Sequence, residues 1–263
     1  MSFEPILQAL ALPPETRVEQ RVPKKLFVEN GAPTAGDKRQ INEGIAEVLW
    51  RAALKPSNLA VPAFRDAARE YLEIAVLTVQ FRPNAKITRL VELIHRAIPY
   101  PVLLLAQAND TASGGHTAAA GPTASVSVAH KRWSQGEAGK VVVEELRATA
   151  PFQPAAPMAA EAQFLARLSL VGLPQTNLFA LYQGWLDSIL ALEAAQITGA
   201  FRPPAAGTSS VLRDQLDERA QAVRELTALR ARAEKETQLN RRVELNLAIK
   251  QLEARIAELV QNL

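Results

Sequence analysis

The chain has no cysteine in 263 residues, which excludes disulfide cross-links, thiolate metal sites and cysteine nucleophiles. Aromatic residues make up only 5% of it, and histidine occurs three times, at His95, His116 and His130, with no pair at a metal-ligand spacing. Charge of one sign is also scarce. The 30 Lys and Arg stand against 27 Asp and Glu, a net +3 that is far from the field of a dedicated nucleic-acid binder. No window approaches the run of about 18 uninterrupted apolar residues that a membrane span needs. The N-terminus carries Glu4 and no basic segment, and its apolar run breaks at Pro13 and Pro14, unlike a secretory signal. Residence in the cytoplasm without membrane attachment is the expectation. The GxSxG, P-loop and GxGxxG patterns are missing too, and with them the usual cradles for acyl hydrolysis, nucleotide cleavage and dinucleotide binding.

What is present is a 48% hydrophobic composition, enough to build one or two cored domains. Residues 22–30 are β-prone, and a Gly/Pro loop at 31–36 separates them from a short helix through Asn42 and a strand at 47–54. From 71 to 81, Leu72, Ile74, Val76 and Thr78 alternate against Glu73, Ala75, Leu77 and Val79, the pattern of a central strand. Ile87, Leu90, Val91, Ile94 and Ile98 then recur at helical spacing, leaving Arg89, Glu92, His95 and Arg96 for the helix surface. Pro99 and Pro101 end that helix before an apolar strand at 102–105. Residues 109–123 read as a flexible loop, 125–130 and 140–148 as two strands, and 150–161 as an Ala/Pro loop. A long helix follows over 178–197, with Asn177 as N-cap and Gly199 as its stop.

These elements predict an α/β (α+β) fold: a mixed, largely antiparallel sheet of four or five strands with flanking helices, over residues 1–200. A linker at 201–210 and a helical segment at 211–263 complete the organisation. The last segment has no Gly, Pro or aromatic residue. Leu212, Leu216, Val223 and Leu226 share one heptad register, although Arg219 occupies a seam position and must snorkel out. Leu245, Ile249, Leu252, Ile256 and Leu259 form a second, unbroken seam out of phase with the first. Either one coiled-coil rod contains a stutter, or two helices fold back as a hairpin around 234–242. Apolar seams need cover, so the nine residues are candidates for binding a protein partner or a second copy of the chain.

Two further constellations carry candidate chemistry. Glu70 and Glu73, at the start of the best strand, are the candidate catalytic carboxylates of a divalent-metal-dependent or degenerate nuclease on a restriction-endonuclease-like core, with Lys55 or Lys131 beside Mg²⁺. The strand lacks the acidic-x-Lys pair of such enzymes, so the expectation is no catalytic residue, no metal site and no cofactor. Lys24 and Lys25, and Lys131 and Arg132 beside Trp133, are the candidate nucleic-acid contacts, Trp133 as a stacking platform.

Three pieces give the chain a family likeness: Val22, Pro23, Lys24 and Lys25; then Ile98, Pro99, Tyr100 and Pro101; then the run QLNRRVELN from Gln238 to Asn246. In this order they resemble the bacterial family catalogued as domain of unknown function 4391, over nearly the whole chain. The resemblance implies no assigned activity. By association with helicases and DNA methyltransferases, it implies an accessory protein of a restriction or antiphage assembly, non-enzymatic, with one of those enzymes as partner.

Overall fold

The computed structural model describes residues 3–108, 122–137, 139–205 and 207–263. Most of the loop expected at 109–123, with His116, lies outside them. The described chain divides into two compact units, Met1–Ile189 and Leu190–Leu263.

The first unit begins with helix α1 (Glu4–Leu10), which buries Ile6 and Leu10, and strand β1 (Arg17–Arg21). Helices α2 (Lys24–Asn30) and α3 (Ala35–Gly44) then lead into strand β2 (Ile45–Leu54). The short helix α4 (Pro56–Leu59) precedes two-residue strands β3 (Phe64–Arg65) and β4 (Glu70–Tyr71), which pair with each other. Strand β5 (Ile74–Phe81), helix α5 (Ile87–Ala97) and strand β6 (Val102–Ala108) form the crossover unit that the hydrophobic pattern predicts. Strands β7 (Thr123–Trp133) and β8 (Val141–Ala148), then helices α6 (Ala159–Arg167) and α7 (Leu178–Thr198), follow.

The main sheet has six strands in the order β1-β2-β5-β6-β7-β8. Only β5 and β6 are parallel, because α5 carries the chain back between them; every other neighbour pair is antiparallel. The mixed, largely antiparallel class is as expected, and β1 adds a strand that the sequence did not signal. On one side Leu90, Leu93, Ile94 and Ala97 of α5 pack with Phe27 of α2 and Ile41 of α3 on Leu77, Val79, Leu104 and Ala106 of the sheet. Gly31, the cap of α2, lies so close to α5 that a Cβ there would stand 2.6 Å from the Leu93 carbonyl oxygen. On the other side, the Tyr182 hydroxyl of α7 accepts from the Ala129 amide at 2.7 Å and donates to the Val102 carbonyl at 2.7 Å, joining β7 to β6.

Several expectations change here. Residues 24–30 are helix rather than β-prone chain: Pro23 opens the turn from an extended conformation and Phe27 is fully buried, so packing overrides local propensity. The expected strand at 71–81 starts only at Ile74, and Glu70 belongs to β4. Part of the Ala/Pro loop is α6, whose Glu161 carboxylate accepts from the Met158 amide at 2.8 Å as an N-terminal cap. His95 is not on the helix surface: it is fully buried, with Nε2 3.0 Å from Ser127 Oγ. The long helix is capped as expected, Asn177 Oδ1 accepting from the Ala180 amide at 2.9 Å and Gly199 turning with φ +78°.

In the second unit, helices α8 (Ser209–Lys235) and α9 (Leu239–Gln261) fold back on each other through the turn at 236–238, so the chain forms the hairpin and not the rod. Arg230–Glu253 at 2.7 Å and Arg255–Glu218 at 2.6 Å tie the helices together.

Candidate functional site

A cleft of about 370 Å³ opens at the end of the sheet where β5 begins and β7 ends. Its walls unite residues that the sequence assigned to two separate chemistries: Glu70 and Glu73 of the nuclease reading, and Lys131, Arg132 and Trp133 of the nucleic-acid reading. Pro99 and Tyr100, from the turn between α5 and β6, complete the floor, and both belong to a piece by which the chain resembles its family.

Lys131 is the unexpected member. Strand β7 carries a bulge between His130 and Lys131, where the pairing steps from His130–Glu145 to Lys131–Val143. Beyond it the Lys131 side chain points inward and is only 4% exposed. Its Nζ donates to the carbonyls of Ile98 at 2.5 Å and Tyr100 at 2.6 Å, so it caps the C-terminal end of α5. Burial pushes its ammonium down to about 7. His95, buried close by, is held well below its ordinary value, first by burial and then by the Lys131 charge.

The carboxylates are already engaged. Glu70 pairs with Arg65 at 2.5 Å and Glu73 with Lys55 at 3.1 Å. Glu73 nonetheless keeps its Oε1 buried without a hydrogen-bond donor, and burial, reinforced by the Glu73 charge, raises the Tyr100 phenol. Arg69, which pairs with Glu144 at 3.2 Å and lies over the Phe179 ring, likewise leaves Nε buried without an acceptor. An unpaired buried polar atom costs about 1–3 kcal/mol, and these two belong to residues that line the cleft. Among the described residues no three His, Cys, Asp or Glu side chains come together to hold a metal ion.

The basic residues do not form one surface. Lys24 donates to the Asn42 carbonyl at 3.1 Å, and Arg82 donates from its side chain to Glu43 O at 3.4 Å and from its amide to Gly44 O at 2.8 Å. Both therefore cap α3, and burial with the charges of Arg82 and Arg21 lowers the Lys24 ammonium. Lys25 is exposed and pairs with Glu29 at 3.6 Å. Arg82 follows β5 and Glu73 precedes it, so the Lys24 group and the cleft stand about a strand length, roughly 26 Å, apart. Arg132 and Trp133 remain at the cleft, Trp133 37% exposed.

Of the nine seam residues, Leu212, Leu216 and Leu252 are buried, and Val223, Leu226, Leu245, Ile249, Ile256 and Leu259 are half-buried in the hairpin. Arg219, half-exposed at its seam position, keeps its Nε buried without a partner. Other apolar residues are left open: Val211 of α8 at 56%, and Leu239 at 64%, Val243 at 51% and Leu247 at 57%, the last three spaced four apart on one stripe of α9. That stripe escaped the sequence reading because it runs beside the heptad seam, and because Leu239 and Val243 flank a charged pair.

Comparison with family profiles matches Domain of unknown function (DUF4391) over residues 10–256. The chain belongs to this family. Comparison with curated proteins and with solved structures gives no match. Among the described residues of this DUF4391 protein no helix is long and apolar enough to cross a membrane.

Proposed function

We propose that this DUF4391 protein is a non-enzymatic accessory subunit of a bacterial restriction or antiphage assembly, docking on a helicase or DNA methyltransferase through its C-terminal hairpin. The observation that carries the reading is the open stripe Leu239, Val243 and Leu247. The seams themselves are largely spent within the hairpin, so docking uses the stripe beside them. Burying three such side chains contributes about 1.5–3 kcal/mol each, enough to anchor a helix-in-groove contact. Arg242 lies beside the stripe on the helix and suits an acidic group on the partner.

The nuclease alternative, Glu70 and Glu73 around Mg²⁺, requires both carboxylates to release Arg65 and Lys55, and Mg²⁺-dependent cleavage by the isolated chain or its complex would be its signature. The accessory reading is tested by co-expressing the full chain with the helicase and with the methyltransferase of its own restriction or antiphage locus. A stoichiometric complex that is lost in the Leu239→Glu/Val243→Glu/Leu247→Glu variant supports it. A complex indifferent to the three substitutions, or a homodimer that they dissolve, contradicts it.

A further inference from the structure

The cleft beside Lys131 lies in the first unit and belongs to no part of the docking argument. Its chemistry is particular. Lys131 lines the cleft, and its Nζ donates to the carbonyls of Ile98 and Tyr100. Glu73 Oε1 is an acceptor without a donor and Arg69 Nε a donor without an acceptor. Around these polar groups stand π faces, the Tyr100 ring half-buried and the Trp133 indole 37% exposed at the rim. Arg132 gives one N–H to the Trp133 carbonyl at 3.2 Å and keeps the rest of its guanidinium for an anion at the mouth.

A ligand that suits Glu73, Lys131, Trp133 and Arg132 together is flat and conjugated, offers a donor next to an acceptor along one edge, and carries negative charge at the other end. Every nucleobase has such an edge, and the phosphate of its nucleotide supplies the charge. The volume of about 370 Å³ lies at the lower end of the range for small-ligand sites and suits one such unit. We propose that the cleft binds a single nucleotide, its base stacked on Trp133 with its polar edge on Glu73 and Lys131, and its phosphate on Arg132. The nucleotide is either free or the unpaired unit of a single strand; the same contacts serve both.

The test titrates the full chain with each nucleoside 5′-monophosphate, with a single-stranded DNA oligonucleotide and with a blunt duplex of the same sequence, by calorimetry at fixed low salt. Saturable binding of one monophosphate per chain identifies a free-nucleotide site. Binding of the single strand alone, with the monophosphates and duplex silent, identifies a strand-borne unit. In either case Trp133→Ala weakens binding about tenfold or more, and Glu73→Gln changes the ranking of the bases. Both side chains are partly exposed, and unchanged circular dichroism and melting confirm that the variants are folded. The absence of saturable binding by any probe, or binding indifferent to both substitutions, overturns the proposal. The α9 triple-Glu chain binds nucleotide as the wild type does, so failure here and failure of hairpin docking are read separately.

Discussion

At the scale of single residues, Lys131 gives stability a defined pH dependence. Its ammonium titrates near 7 in the folded protein against an ordinary 10.5 in the unfolded chain. Between those values the unfolded chain holds the extra proton, so this group makes stability rise with pH through the window and adds no slope below it. Urea unfolding between pH 7 and 10 should show that rise, and Lys131→Met should flatten it; an unchanged slope in the variant would mean the lysine is not the titrating group. Arg219 makes a second residue-scale case. Its buried, unpaired Nε occupies a seam position, so Arg219→Leu should stabilise the hairpin by about 1–3 kcal/mol, read as a higher denaturation midpoint at constant m-value. Neither feature was legible in the sequence. Lys131 looks like one of two surface cations beside Trp133, and only the bulge in β7 turns it inward. Arg219 looks like a side chain long enough to escape, and its own geometry keeps the Nε inside.

At the scale of elements, the legible parts are those whose pattern and caps agree. The strand β5, helix α5 and strand β6 follow from period two, then period 3.6, then a proline-bounded apolar run; α7 follows from Asn177, its apolar length and Gly199. The elements missed are short ones specified by packing. In α2 seven residues with Leu, Phe and Val look extended, yet Phe27 must reach α5 and Gly31 must close against it. Gly31→Ala should therefore cost about 1–3 kcal/mol by forcing a methyl against the Leu93 carbonyl and Ala97, whereas Gly136→Ala, with open space at its Cβ, should cost far less. Equal melting temperatures for the two variants would contradict that packing. The pair Asp37–Arg89 fixes α3 on α5 in a comparable way: its two contacts are 2.9 and 3.0 Å, and hydrogen bonds from Arg89, then Thr34, hold the carboxyl down at about 2. Its stabilising effect is complete above the ordinary carboxyl value of 3.8 and fades as pH falls towards 2.

At the scale of the whole molecule, the candidate site was half legible. Its residue types were identifiable, but as two unrelated groups, because residues 70–73 and 131–133 meet only through the order of strands β5, β6 and β7. The helical end was legible as two seams; that they fold onto a hairpin follows from the polar turn at 236–238, and the stripe they leave open emerges only from the fold. The docking role rests on that stripe. The most direct measurement is the light-scattering mass of the co-expressed helicase or methyltransferase complex, wild type against Leu239→Glu/Val243→Glu/Leu247→Glu. The account predicts a stoichiometric complex for the wild type and two separate species for the variant; a complex of unchanged mass in the variant would contradict it.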